Sequence, residues 1–301
     1  MTTVEKHVGV EFACAGTRLA ASHYCGTNGA CVVMTGGLGV TKEPGTERFA
    51  EAFHAAGFSV LAFDHRGIGA SAGLPRQVQT MRGQAADWEA AIEFAAALPE
   101  VDPARVAAWG FSTSAGHAVR LAARHPELAA VIAQSPNVHG PAATRNAARY
   151  QRVGAMLRMT GRGLLDAVGG LFGRPARLIA LGGAPGEVAV LTTPDGALGD
   201  AALNPGGSHP EWLQAIAARS TFGVMAFRPG REAARITCPA LFVVCDDDRS
   251  VLPGPGIRAA ERAPYGELVR VPGGHYAPFL DQHDVAVRAE IEFLQRHLRT
   301  D

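Results

Sequence analysis

Three kinds of side chain that combine in acyl-transfer chemistry lie far apart in this chain, each just past an apolar run: Ser112, the triplet Asp246-Asp-Asp248, and His275. A serine hydroxyl is a poor nucleophile until a sharp backbone bend lifts it above a sheet, where an imidazole reaches it and a helix N-terminus favours negative charge. Ser112 sits in such a setting: Val106-Ala-Ala-Trp-Gly-Phe-Ser-Thr-Ser-Ala-Gly116 is an apolar run that ends in small residues and passes into a helix-like segment, His117 to Arg124. Gly110 leaves room for the bend on one side, and Ser114, still small, stands where such elbows have a second glycine. The remaining requirements are a base beside the hydroxyl, a carboxylate that holds the base in one tautomer, and backbone donors for an oxyanion. His275 follows Pro272-Gly-Gly, so its ring is free to swing over a sheet edge, and the aspartates close the run Ala240 to Cys245.

Each of these residues has a plainer reading. Ser112 as a strand-to-helix cap, Ser114 as the nucleophile and His283 as the base are the competitors. His139, His209 and Ser135 read as cap or loop residues, and no metal-ligand spacing joins them. Asp64-His-Arg-Gly67 reads as a structural turn.

The elements that must position this chemistry follow from the hydrophobic pattern. Val8 to Cys25 alternates around Ala15-Gly-Thr17 and predicts a hairpin at a sheet edge. Residues 30–35, 58–63, 106–111, 128–134 and 240–245 are near-continuous apolar runs, as expected of strands buried on both faces, and 267–271 reads as a last strand. Helical spacing occupies residues 47–56, 84–98 and 285–298 between and after them. This alternation predicts an α/β fold with a mostly parallel central sheet covered by helices on both faces, and sites in such sheets lie past the carboxyl ends of the strands. From Ser135 to Thr237 the alternation stops, which is too long for a crossover. We read residues 1–135 and 238–301 as one core, and 136–237 as an inserted, mainly helical cap: helical over 145–172, loop-like in the middle, with one more short helix at 211–219.

Taken together, Gly36-Gly-Leu-Gly-Val-Thr-Lys-Glu43, Asp64-His-Arg-Gly-Ile-Gly-Ala-Ser71, Gly110-Phe-Ser-Thr-Ser114, Asp248-Arg-Ser-Val251 and Gly273-Gly-His275 resemble the α/β-hydrolase superfamily. The nearest likeness is to bacterial esterases of the dipeptidyl-aminopeptidase and acetylxylan-esterase-like group, with a helical cap after the sixth strand. The resemblance implies the α/β-hydrolase fold, no cofactor, and a triad in the order Ser112, Asp248, His275. Asp248 is chosen over Asp247 because the family's acid lies three residues before a Val or Pro that opens the next turn. It also implies an oxyanion hole made by the backbone N–H groups of Thr113 and Leu38, with Gly36 standing where the family's His-Gly-x-Gly pattern has histidine. The implied reaction is hydrolysis of a carboxylic ester through an acyl-enzyme, with thioesterase, amidase or peptidase, carbon–carbon hydrolase and a silent small-molecule binder as alternatives.

Composition narrows the partners. Basic and acidic residues balance at 28 each, which argues against nucleic acid and against an anionic membrane. The first residues lack the apolar core of a signal peptide and no later run is long enough to span a bilayer, so a cytoplasmic protein is expected. Five scattered cysteines without a CxxC pair predict reduced side chains rather than disulfides or zinc. Oligomeric state is left open. The segment 145–172 carries an apolar helical stripe and only one carboxylate, Asp166, which points to a medium or bulky apolar substrate rather than a cationic peptide or a sugar acetate. Met156, Met159 and Phe227 are the expected substrate contacts.

Overall fold

The computed structural model describes residues 7–299; the N-terminal stretch read for a signal peptide lies largely outside that range. Its centre is an eight-stranded sheet in the order β1-β2-β4-β3-β5-β6-β10-β11. The expected hairpin is present as β1 (Val8–Cys14) and β2 (Thr17–Tyr24), antiparallel at the sheet edge. Beyond β2, the strands β3 (Cys31–Thr35), β4 (Ser59–Phe63), β5 (Val106–Phe111), β6 (Ala130–Gln134), β10 (Ala240–Cys245) and β11 (Gly266–Val271) run parallel to one another. β3, β4, β5, β6 and β10 are buried along their whole length, which is why they read as continuous apolar runs rather than alternating ones.

The period of two divides each strand between two cores. Val33, Ala108, Val131 and Phe242 face the layer closed by α2 (Met81–Ala96), α3 (Thr113–Ala122) and α8 (Pro253–Arg262). Val32, Met34, Trp109, Ile132 and Val243 face the layer closed by α1 (Thr46–Ala55) and α9 (His283–His297). Large side chains dominate both: Trp88 is fully buried in the first, and Phe49 packs on Trp109 in the second with ring centroids 5.3 Å apart. Each such side chain contributes about 1.5–3 kcal/mol of burial. All five cysteines are free; Cys25 is exposed and the others are buried.

Between β6 and β10 the chain leaves the sheet. It forms α4 (Gly140–Ala147), α5 (Val153–Leu171), β7 (Leu178–Gly182), β8 (Ala189–Leu191), α6 (Gly199–Leu203), β9 (Ala215–Ala217) and α7 (Ser220–Ala226). Two expectations are corrected here. The loop-like middle contains β7 and β8, and the short helix expected at 211–219 is instead β9, so that the segment holds a three-stranded sheet in the order β8-β7-β9. Strands of three and five residues are too short to show a period of their own, and this one is held by Ile179, Ile216 and Ala218 packing on Ile68 of the core. Among the described residues, no helix is long and apolar enough to cross a membrane.

Candidate active site

The turn after β5 carries Ser112 at φ 55° and ψ −114°, a conformation that non-glycine residues rarely adopt. The strain is held by the packing around it. A Cβ on Gly110 would lie 2.5 Å from the Ser114 backbone, and one on Gly116 would lie 2.5 Å from the Asn137 carbonyl oxygen, so α3 closes on β5 and on the segment after β6 only with glycine at both places. Ser112 N–H donates to Gln134 O at 2.9 Å, and Ser112 O accepts from Asn137 N at 3.0 Å. Ser112 is the N-cap residue of α3, yet its side chain caps nothing. The hydroxyl is left for another partner.

That partner is His275. Its Nε2 lies 3.1 Å from Ser112 Oγ, and its Nδ1 lies 2.7 Å from Asp248 Oδ2. A carboxylate only accepts, so Nδ1 carries the proton and Nε2 presents a lone pair to the serine O–H. Asp248 is fixed in turn: Oδ1 accepts from the backbone N–H of Ser250 at 2.8 Å and of Val251 at 2.9 Å. The carboxylate and the imidazole are both buried. Asp247 is exposed and Asp246 pairs with Arg270 at 2.7 Å, so neither faces the ring. His283 approaches the Pro278 carbonyl oxygen at 3.2 Å and stacks edge-on to Phe49, while Ser114 donates to the Gly36 carbonyl. His139 caps α4 through its Nδ1, as a cap residue does.

The loop after β3 faces the serine. A Cβ on Gly37 would lie 3.4 Å from Ser112 Cβ, and Leu38 lines the same cavity as Ser112 and Thr113. Thr113 is the first residue of α3, whose N–H has no partner inside the helix. The histidine missing at Gly36 is replaced by other anchors. Ser114 holds the Gly36 carbonyl, Gly39 N–H donates to Gln79 Oε1 at 2.9 Å, and Trp212 Nε1–H donates to Gly39 O at 2.8 Å. Sequence reading missed Gln79 and Trp212 because neither belongs to a local pattern.

Asp195 was also missed. It lies in Pro194-Asp-Gly, which reads as an ordinary turn, but it is buried beside the triad, and its Oδ2 accepts from Arg249 N at 2.9 Å and from His275 N at 3.0 Å.

Burial of a thiol or a phenol disfavours its charged form, and two such groups lie beside the site. Desolvation pushes the Cys245 thiol, at the end of β10, up to about 12, and lifts the Tyr276 phenol well above its ordinary range. Both stay neutral beside the triad.

Ser112 and His275 open into a cavity of about 550 Å³ lined mainly by apolar side chains. Met156 and Met159 of α5 line it, together with Leu181, Trp212, Phe222 and Met225. Phe227 does not. It is buried on α3, its ring 4.6 Å from the His117 ring and 4.6 Å beneath the Arg120 guanidinium, and a Cβ on Gly116 would lie 2.7 Å from that ring. Nor does most of the expected apolar stripe face inward: Leu157, Leu164, Leu165, Val168, Leu171 and Phe172 are exposed.

Residues 27–166 match the family model described as serine aminopeptidase, S33. The quorum-quenching protein AidA of Acinetobacter baumannii is 35% identical over 267 residues, spanning 88% of this chain and 86% of that protein. The thiohydrolase apmlB of Arthrinium phaeospermum is 38% identical over 108 residues, 36% of this chain and 35% of its own. Among solved structures, DcsB in complex with its substrate analogue superposes with a TM-score of 0.82 at 21% identity, covering 97% of this chain and 99% of that one. The α/β hydrolase GrgF from Penicillium sp. sh18 superposes with a TM-score of 0.79, also at 21% identity, covering 97% and 99%. Identity of that extent to AidA along most of both chains, with a fold shared from end to end with such enzymes, makes this chain a member of the α/β-hydrolase superfamily.

Proposed function

We propose that the enzyme is a serine hydrolase that cleaves a carboxylic ester of a medium or bulky, largely apolar small molecule through an acyl-enzyme. The observation that carries this reading is the chain of contacts from Ser112 through His275 to Asp248, opening into an apolar cavity. Ser112 Oγ attacks the ester carbonyl carbon while its proton passes to His275 Nε2; the negative oxygen that forms is met by the N–H groups of Thr113 and Leu38. The imidazolium, held by Asp248, returns that proton to the alcohol oxygen as the carbon–oxygen bond breaks. Water then attacks the acyl-enzyme by the same route, releasing the acid and restoring Ser112. No step calls on a cofactor. The segment between β6 and β10 acts as a cap: its α4, α5 and α7 wall the cavity, so its side chains set which acyl and alcohol groups fit.

Thioester cleavage is the second reading, supported by the relatives named as thiohydrolases. The attack is the same and only the leaving atom differs.

A fluorophosphonate probe followed by paired substrates tests both. Labelling of the wild type and not of Ser112→Ala is the expected result, since only an activated serine reacts. A matched oxygen ester and thioester of one apolar acyl group then separate the readings by kcat/KM. Absence of labelling, with no turnover of either, would overturn the hydrolase assignment of Ser112.

A further inference from the structure

The outer face of α5 is apolar and unpartnered. Val153, Leu157, Leu164, Val168 and Leu171 recur at helical spacing along one side, and Phe172 follows the last of them. Val153 is 73% exposed, Leu157 69%, Leu171 85% and Phe172 76%. Isolated exposed leucines need no explanation, but a continuous row along a 19-residue helix marks a surface that meets something apolar.

The charge around this row says what that is. Seven arginines lie from Arg145 to Arg177 against a single carboxylate, Asp166. All seven are exposed, and among the described residues none is paired with a carboxylate. Asp166 does not offset them at the surface: it is buried, with Oδ1 accepting from Arg177 N at 2.7 Å and Oδ2 from Arg219 N at 3.0 Å. Arg158 and Arg162, one turn apart, flank the apolar row. The next carboxylate along the chain, Glu187, accepts from Ala184 N at 2.8 Å. The balance of 28 basic and 28 acidic residues hides this concentration, because the compensating acids lie elsewhere in the chain.

We propose that the exposed face of α5 docks on an anionic lipid bilayer, its apolar row entering the acyl boundary and its arginines meeting the headgroup phosphates. An amphipathic helix with a cationic polar side and four to eight arginines or lysines nearby has the pattern that binds such surfaces. A second copy of the chain is the less suitable occupant. A two-fold contact across the row would set Arg158 and Arg162 close to their own duplicates, with no carboxylate to separate them. The position of α5 gives the docking a use, because the opposite side of the same helix contributes Met156 and Met159 to the cavity. An apolar molecule dissolved in the bilayer would then reach the cavity along one helix.

The test is flotation with vesicles, read without turnover, so that it stands or falls separately from the esterase reading. The probes are phosphatidylcholine vesicles and mixed phosphatidylglycerol–phosphatidylcholine vesicles. The wild type is expected to float with the mixed vesicles, more weakly as salt rises, and little with phosphatidylcholine alone. Arg158→Gln and Arg162→Gln should each lower partitioning onto the mixed vesicles about 5-fold, the equivalent of about 1 kcal/mol per cation at such a surface. The triple variant Leu157→Ser, Leu164→Ser, Leu171→Ser should abolish flotation while hydrolysing a water-soluble aryl ester as the wild type does, since none of the three lines the cavity and all are exposed. Failure of the wild type to float, or flotation unaffected by the triple variant, would overturn the proposal. So would a wild-type dimer in sedimentation that the triple variant converts to monomer, which would assign the face to a second copy.

Discussion

The backbone N–H of His275 donates to Asp195 Oδ2 at 3.0 Å, across eighty residues of chain. The same oxygen accepts from Arg249 N, next to Asp248, so one carboxylate from the inserted segment ties the turn that carries the acid to the turn that carries the base. Gly274 passes so close that a Cβ there would lie 3.1 Å from the carboxylate. Asp195→Ala leaves both donors without this partner, at about 1–3 kcal/mol for the buried His275 N–H. We expect it to lower kcat by more than it raises KM, and Asp195→Asn, which keeps an acceptor, to recover most of the loss. Equal kcat in the two variants, or a change confined to KM, would remove Asp195 from the positioning of His275.

Ser112→Ala should abolish turnover of a short-chain aryl ester by several powers of ten and leave the fold unchanged. Ser114→Ala has a different expected outcome. It loses the hydroxyl that holds the Gly36 carbonyl, so kcat falls through a loosened loop at Leu38 while the fluorophosphonate still labels Ser112. Activity in Ser112→Ala together with an unlabelled Ser114→Ala would exchange their roles.

Asp248→Asn should lower kcat far more than Asp247→Asn. The amide neither enforces the tautomer with a proton on Nδ1 nor stabilises the imidazolium, whereas the Asp247 side chain is exposed and only its backbone N–H is engaged, with Gly273 O at 3.0 Å. Similar small losses in both variants would place the acid elsewhere.

A panel of esters graded by acyl size separates the cavity wall from the packing behind it. Met156→Ala and Met159→Ala should each cost bulky apolar esters about 1–3 kcal/mol in kcat/KM and leave acetate esters nearly unchanged. Phe227→Ala should act on stability instead, by about 3–5 kcal/mol, and affect all esters alike, since its ring is buried on His117 and Arg120. A size-dependent effect of Phe227→Ala would return it to the substrate.

Glu290 is fully buried, and its one hydrogen bond is from Trp109 Nε1–H at 3.1 Å. Desolvation raises its carboxyl well above the ordinary range, against a smaller lowering by Trp109. The unfolded chain therefore releases this proton at lower pH than the folded one, and stability falls as pH rises from the ordinary glutamate value towards the raised one. Glu290→Gln keeps an acceptor for Trp109 and removes the ionisation. Its Tm should exceed that of the wild type at neutral pH and match it near pH 4, with about 2–4 °C for each kcal/mol recovered. A variant equally or less stable at neutral pH would mean that Glu290 ionises in place.

The positions of the core strands, the hairpin edge and the elbow at Ser112 were legible because they are local, whereas the order β1-β2-β4-β3-β5-β6-β10-β11 came only from the folded chain. Buried parallel strands announce themselves as continuous apolar runs, and a strained turn needs small residues at fixed offsets, as Gly110 and Gly116 show. His275 and the aspartate triplet were legible for the same reason, each following a strand end. The choice among the three aspartates came from a family pattern, and only the tertiary structure brings Asp248 Oδ2 to 2.7 Å from the imidazole. The inserted segment was legible as an interruption and little more. β7, β8 and β9 are too short for periodicity, and what holds them is packing on Ile68 from a distant turn. The apolar stripe of α5 has the same spacing whether its partner is a core, a substrate or nothing. Helical period says which residues share a face, and only the packed chain decided that Met156 and Met159 meet the cavity while Leu157, Leu164 and Leu171 meet solvent. Asp195 lies furthest from sequence reading, because its partners are backbone N–H groups that every residue type carries, brought to it by folding alone.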